Sequence, residues 1–340
     1  MALTKFVLIG GTERALKTFQ EILKLDNPEI QISLCIFMPG HDDELESCRK
    51  LEELAIGANV PYIVSDVISE EIITKLKAIS PHVMLGLGIW RSMISDEVLR
   101  IPEFGYIGLH GTPLPRLRGF AGIYWQIING YDSIKTRFYR LDPGIDSGPY
   151  VCDVEGRVLE YSIPTGDEKH LKEILLDYDS MHIKANLDII TKLVDRNFSF
   201  KEQPQQEATY ACHRGAEDAE INWNQSTKDV FNFIRAQSVP CPGAYTYFND
   251  KKVIIWRAKP RYDFSNYEGR ITGKIVSRFQ DTGTVAILTS DGAIEVLNAE
   301  VEGQSDIKPT SIFNSVRKKC QGMIEAKINQ LQQMREDRNP

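Results

Sequence analysis

The sequence predicts an α/β protein in which a Rossmann-like domain, built on a parallel sheet, precedes a small OB-fold-like β-barrel domain. Two observations predict this class. Strand-like and helix-like segments alternate through the first half of the 340 residues, as in repeated βα units. Short β-rich runs dominate the second half. We expect domains at residues 1–204 and 205–340, because the polar stretch 197–209 is typical of a linker.

The first predicted strand, over 5–9, is an apolar run that ends in Gly10-Gly11. We interpret these glycines as a plain strand-to-helix turn, since the full dinucleotide-binding pattern is absent. Apolar residues recur at helical spacing over 14–25, which predicts the first helix. Further strands are expected at 30–37, 62–64, 82–87, 106–110, 134–141 and 151–159, and helices at 42–58, 69–79, 96–99, 121–129 and within 167–196.

The second half is expected to begin with a helix over 226–236. Asn249-Asp250 and Asp291-Gly292 are typical of tight turns between strands. Five short strands then suit a small open barrel, and we place them at 244–248, 252–258, 273–278, 284–289 and 293–299. An apolar stripe over 312–335 predicts a terminal helix.

Bulk properties exclude several classes of protein. No run of 18 apolar residues is present, so we expect no membrane span, and the N-terminus lacks a signal-peptide pattern, so we expect a cytoplasmic protein. The six cysteines are scattered without ligand spacing, so neither a zinc site nor a disulfide framework is predicted. The net charge of -7 argues against a nucleic-acid partner, which requires clustered Lys and Arg.

Two neighbouring motifs hold the candidate chemistry. The first is Gly108-Leu-His-Gly-Thr-Pro-Leu-Pro-Arg-Leu-Arg-Gly119, and the second is Asp142-Pro-Gly-Ile-Asp-Ser-Gly148. His110 ends a predicted strand, where parallel sheets bind ligands, and Asp146 lies in a glycine-rich turn. These two residues form a plausible general base and its orienter. Taken singly, each has a structural alternative, a core or capping histidine and a turn-forming aspartate.

These motifs resemble the signature of the folate-dependent formyltransferases. The similarity covers residues 1–200 and continues through Ile221-Asn-Trp223, Ile234-Arg-Ala236 and Pro240-Cys-Pro-Gly-Ala244. The resemblance implies transfer of a formyl group from N10-formyltetrahydrofolate, with tetrahydrofolate as the product. It implies His110 as the base and Asp146 as the residue that orients it.

The resemblance also implies a folate-binding region. Gly88, Ile89, Trp90 and Arg91 fall on the loop that faces the pterin, and Leu141 and Asp142 are further expected cofactor contacts. The alternatives are a structural loop that packs Trp90 and, for Asp142, a turn-capping role.

One departure from the family pattern concerns the catalytic asparagine, whose position holds Gly108. Gly108 and His110 are two residues apart on a strand and therefore face the same side. The loss of one oxyanion donor typically costs about 10²–10³ in rate. Three interpretations stay open: Thr112 or a backbone N–H replaces the donor, the enzyme is slower, or formyl transfer has been lost.

Two kinds of family member share the two-domain layout: methionyl-tRNA formyltransferases and nucleotide-sugar N-formyltransferases. The stretch Pro39-Gly-His-Asp-Asp-Glu-Leu-Glu46 stands where tRNA enzymes carry a basic loop, and its acidic side chains would repel phosphates. We therefore expect a nucleotide-linked amino sugar as the substrate. The alternatives are a tRNA substrate, or a binder or altered catalyst that has lost the asparagine. A homodimer through the C-terminal part is possible, although its apolar surfaces could equally be intramolecular.

Overall fold

The structure is a computed structural model that describes residues 3–39, 45–88, 90–301, 308–313 and 327–328. The chain divides into two compact units. The first consists of Met1–Ile127, Tyr131–Asp167 and Glu173–Arg214, and the second of Ile128–Gly130, Glu168–Lys172 and Gly215–Pro340.

The first unit is built on a mixed sheet with the strand order β10-β8-β7-β5-β4-β1-β2-β3, and β9 pairs with β7 at its side. Strands β1 to β5 are parallel, as predicted, whereas β7 runs antiparallel to β5. A separate pair joins β6 to β11. The strands are β1 Thr4–Gly10, β2 Ile30–Phe37, β3 Tyr62–Val64, β4 Val83–Gly86, β5 Tyr106–His110, β6 Arg118–Gly119, β7 Ser133–Arg140, β8 Tyr150–Cys152, β9 Glu160–Pro164, β10 Ser199–Lys201 and β11 Tyr210–Ala211.

Helices cover both faces of this sheet, as the alternating pattern predicts. Phe6 on β1 lies in one core with Phe19 of α1, and its neighbour Val7 lies in the opposite core with Leu76 of α3. Burial of each such side chain contributes about 1.5–3 kcal/mol. The helices of this part are α1 Glu13–Ile22, α2 Leu45–Gly57, α3 Glu70–Ile79, α4 Asp96–Leu99, α5 Gly122–Ile128 and α6 Leu171–Val194.

Two predictions for the first unit are wrong. The strand expected over 151–159 ends at Cys152, because the Asp153 carboxylate accepts hydrogen bonds from the backbone N–H groups of Glu155 and Arg157 and forms a turn. The stretch 197–209, interpreted as a linker, contains β10, which extends the sheet by pairing with β8. A polar composition therefore concealed an edge strand.

The second unit contains an antiparallel sheet with the order β12-β13-β16-β15-β14. All five predicted strands are present, with ends within about three residues of the prediction, and α7 packs on them through Phe231 and Ile234. Closure into a barrel stays a prediction, and most of the terminal helix expected over 312–335 lies outside the described residues. The elements are α7 Thr227–Ala236, β12 Ala244–Phe248, β13 Lys251–Arg261, β14 Ile275–Phe279, β15 Thr284–Leu288, β16 Ala293–Val301 and α8 Pro309–Ile312.

Within the described ranges, no helix is both long enough and apolar enough to span a bilayer.

Candidate active site

The candidate site lies at the carboxyl end of β5. This strand pairs with parallel β4 on one side and antiparallel β7 on the other, so the end of β5 faces the loops that follow β1 and β4. His110 is the last residue of β5, and its carbonyl accepts a hydrogen bond from the hydroxyl of buried Thr136 on β7. The sheet therefore fixes the backbone of His110.

The structure brings His110 and Asp146 together. The Nδ1 atom of His110 lies 3.5 Å from Oδ2 of Asp146, and Nε2 lies 3.4 Å from the carbonyl oxygen of Leu117. Both side chains are only partly exposed. Each ring nitrogen thus faces a hydrogen-bond acceptor, which suits a residue that takes up and releases protons.

The turn that holds Asp146 is tightly constrained. Asp146 has a φ of +48°, and a side chain on Gly148 would collide with the carbonyl of Arg140. The amide nitrogen of Gln203 donates to the carbonyls of Asp146 at 2.9 Å and Gly148 at 2.7 Å. The site therefore depends on a residue from the segment that was interpreted as a linker.

A buried arginine orients that glutamine. Arg118 is 1% exposed, and its guanidinium donates to Oε1 of Gln203 at 2.7 Å and to Oε1 of Gln205 at 2.9 Å. Its neighbour Gly119 donates its backbone N–H to Oδ2 of Asp146 at 2.8 Å. The arginine of the first motif thus supports the second motif through Gln203.

Gly108 leaves no side chain where the family pattern has an asparagine, and the space beside it is partly filled. A Cβ atom built on Gly108 would lie 3.0 Å from Cδ1 of Leu141 and 3.6 Å from Cε1 of Tyr139. Leu141 packs in two apolar clusters of the first unit. Leu141 was predicted as a cofactor contact; the structure places it beside Gly108 on β5, and the contact stays a prediction.

Thr112, the predicted replacement donor, is fully buried. Its hydroxyl has no hydrogen-bond partner within the part of the chain that the structure describes. A Cβ atom on Gly122 would collide with the Thr112 methyl group, so α5 covers this side chain. The structure thus places Thr112 beneath the surface rather than in the open site.

The predicted folate loop follows β4 and faces the turn after β1. A Cβ atom on Gly88 would lie 2.9 Å from Oγ1 of Thr12, so a glycine allows this loop to approach the turn after β1 closely. Trp90 is partly buried, and its indole Nε1 has no acceptor among the described residues. Arg91 is exposed, and Ile89 lies outside the described residues. The indole donor of Trp90 fits a ligand ring that is rich in hydrogen-bonding groups.

Asp142 lies four residues before Asp146, and its carboxylate accepts hydrogen bonds from the Ser147 hydroxyl at 2.8 and 2.9 Å. The structure therefore gives Asp142 a turn-stabilising contact, and a role towards the cofactor stays a prediction.

A groove of about 520 Å³ lies along β7 and the loop after His110. Three of its lining residues are cations, and Glu160 pairs with two of them, Lys135 and Arg137. The lining residues are Pro113, Pro115, Arg116, Tyr131, Asp132, Ser133, Lys135, Arg137 and Glu207.

Sequence reasoning missed Gln203 and Tyr139. Tyr139 donates its hydroxyl to Oδ1 of Asp146 at 2.6 Å. Alternate residues of a strand face the same side, so Tyr139 and Arg137 of β7 lie on one face, paired with Gly108 and His110 of β5. This alternation is the sequence signal that could have identified Tyr139.

Comparisons with known proteins agree with this architecture. Residues 14–175 match the model of the family described as formyl transferase, and residues 215–317 match its C-terminal domain. The chain is 27% identical over 267 residues to the bifunctional polymyxin resistance protein ArnA of Wigglesworthia glossinidia brevipalpis. That match covers 76% of this chain but only 37% of the relative.

Two solved structures show the same fold. One is the structure of WlaRD, a sugar 3N-formyl transferase, in the presence of dTDP and 5-N-formyl-THF. Its TM-score is 0.59 at 16% identity, and the match covers 89% of this chain and 100% of that chain. The other is an N-formyltransferase from Helicobacter canadensis with folinic acid and dTDP-3-aminofucose, at a TM-score of 0.60 and 16% identity, covering 86% and 98%. Since both family domains are matched in order, this chain belongs to the formyltransferase family.

Proposed function

We propose that this protein transfers a formyl group from N10-formyltetrahydrofolate to the amine of a nucleotide-linked deoxyamino sugar. The observation that carries this proposal is the His110–Asp146 pair at the carboxyl end of β5, the last of the parallel strands. Formyl transfer to an amine requires a base, a donor to the developing oxyanion and a proton for the leaving nitrogen.

His110 performs the proton steps. With Nδ1–H directed at Asp146, its Nε2 accepts the proton that the attacking amine loses. The carbonyl of Leu117, 3.4 Å from Nε2, then accepts a hydrogen bond from the new N–H. His110 finally returns this proton to the leaving nitrogen, while Asp146 stabilises the charged ring in between.

N10-formyltetrahydrofolate, when bound, supplies the formyl carbon. Gly88, Trp90 and Arg91 would hold its pterin end, because the indole N–H of Trp90 has no acceptor among the described residues. The donors left for the oxyanion are the Thr112 hydroxyl and backbone N–H groups near Gly111. Thr112 would need α5 to move, so we assign the larger share to the backbone.

The acceptor assignment has two supports. The Helicobacter canadensis structure holds dTDP-3-aminofucose, and the groove beside the loop after His110 presents cations that suit a diphosphate. Arg116 is the one of these three cations for which no ion pair with a carboxylate is described, whereas Lys135 and Arg137 share Glu160. A nucleotide diphosphate would therefore compete with Glu160 for two of them.

Mass spectrometry of UDP- and dTDP-linked amino sugars, incubated with the protein and N10-formyltetrahydrofolate, tests the proposal. Gain of one formyl group on a sugar would support it, and His110→Asn should abolish that gain. If no sugar is formylated while folate still raises the melting temperature, the assignment of the reaction is wrong.

A second candidate function is favoured by Gly108 itself. A site without the asparagine, with Leu141 packed into part of its space, could bind folate and carry out other chemistry or none. Thermal stabilisation by folate without any formylated product would favour this candidate.

A further inference from the structure

Tyr139 lies directly opposite Gly108 in the antiparallel ladder between β5 and β7. Its ring edge is 3.6 Å from the point that a Cβ atom on Gly108 would occupy. The ring also meets the His110 imidazole edge to face, with centroids 6.0 Å apart. The Tyr139 side chain of β7 thus lies beside the position at which Gly108 of β5 has no side chain.

The hydroxyl of Tyr139 is committed to Asp146. It donates to Oδ1 at 2.6 Å, while Oδ2 of the same carboxylate accepts from Gly119 N and faces His110. Both oxygens of Asp146 are therefore held, which fixes the rotation of the carboxylate group. Without the Tyr139 bond, Oδ2 would keep its contacts to Gly119 N and His110, and Oδ1 would lose its hydrogen-bond donor.

Tyr139 is well suited to be a permanent donor. It is 8% exposed, and burial, followed by the neighbouring Asp146, raises its pKa well above the usual value. The phenol therefore keeps its proton throughout the physiological range, and Asp146 can accept it at all times.

We propose that Tyr139 is a positioning residue, whose hydroxyl fixes the Asp146 carboxylate against His110. This inference rests on the proposed function. Tyr139 acts through Asp146, so its effect must disappear once Asp146 can no longer orient the histidine.

A double-mutant cycle tests this coupling. We expect Tyr139→Phe to lower kcat at least about tenfold with little change in KM for the folate, since the variant keeps the ring and loses only the hydroxyl. In an Asp146→Asn background, the same substitution should change kcat less than about twofold. Tyr161→Phe is the matched control, because the Tyr161 hydroxyl also donates to an aspartate, Asp188 on α6, rather than to Asp146.

A second readout does not need turnover. The side-chain nitrogen-15 shifts of His110 report its tautomer, measured at alkaline pH, where a model histidine is neutral. The wild-type protein and Tyr161→Phe should hold one tautomer with Nδ1–H, and Tyr139→Phe should show a mixture of the two.

The outcomes separate the two proposals. If no acceptor is formylated by the wild-type protein, the proposed function fails, and the nitrogen-15 comparison still decides the role of Tyr139. Unchanged shifts in Tyr139→Phe would overturn that role, as would losses in kcat that simply multiply in the double variant.

Discussion

The Cδ1 atom of Leu141 lies 3.0 Å from the point that a Cβ atom on Gly108 would occupy. Leu141 packs against two apolar clusters, so this approach belongs to the packing beside β5. A larger residue at position 108 must move the end of a leucine side chain, which is a flexible group. The site therefore has room for an amide at a modest cost in packing.

We expect Gly108→Asn to raise kcat, by up to about 10²-fold, because it restores a side-chain donor on the face of His110. The leucine must give way, so the variant should also lose about 1–2 kcal/mol of stability. Rates and melting temperatures of Gly108→Asn and Gly108→Ala, with and without Leu141→Ala, separate these effects. Equal rates for the Asn and Ala variants would show that an amide at position 108 plays no part.

His110→Asn should lower formyl transfer by at least about 10²-fold, since the amide cannot take up the amine proton. His213→Asn, a substitution of an exposed histidine in the same unit, should leave the rate within about twofold. Steady-state assays on both variants, with circular dichroism as a check on folding, test this. Near wild-type turnover in His110→Asn would show that His110 is not the general base.

Gln203→Ala should destabilise the protein by about 2–4 kcal/mol, because it leaves the buried Arg118 guanidinium and two carbonyls short of partners. The Asp146 turn loosens at the same time, so kcat should fall as well. Urea unfolding and steady-state assays measure both effects. Gln206→Ala, at an exposed neighbouring position, is the control. A similar loss in that variant would contradict the role of Gln203 in holding the Asp146 turn.

Stability should fall on acidification because of His182. Burial, with a smaller effect from Arg14, lowers the pKa of His182 from 6.5 to about 3. The unfolded chain then binds a proton more readily than the folded one, so this contribution is fully present above pH 6.5 and is lost as the pH falls towards 3. Urea unfolding at several pH values should show a flatter profile for His182→Phe than for the wild type, and parallel profiles would disprove the assignment.

Much of the fold was predictable from local patterns. Apolar runs located β3 and β5 to the residue, and Ser69 correctly predicted the start of α3, since its side chain accepts from Ile72 N. Apolar runs and helix caps depend on a few neighbouring residues, and the tertiary packing of this chain does not override them. The antiparallel strand β10 was missed because its three residues acquire a strand conformation only by pairing with β8.

The site was partly predictable. The motifs indicated His110 and Asp146, and the structure brings them together. Gln203 could not be predicted, because glutamine has no distinctive chemistry and its partner Asp146 lies 57 positions away. Thr112 was predicted from its place in the motif, and its burial depends on how α5 packs over it, which no local pattern shows.

Gln203, which holds the Asp146 turn, follows β10, a strand of only three residues at the edge of the sheet. Short edge strands open locally at far lower free energy than the core unfolds. If β10 separates from β8, we expect Gln203 to lose its hold on the carbonyls of Asp146 and Gly148, so that the turn loosens. The order of the Asp146 turn would then depend on fraying at one border of the sheet, and hydrogen exchange within β10 would follow it more closely than any measure of global unfolding.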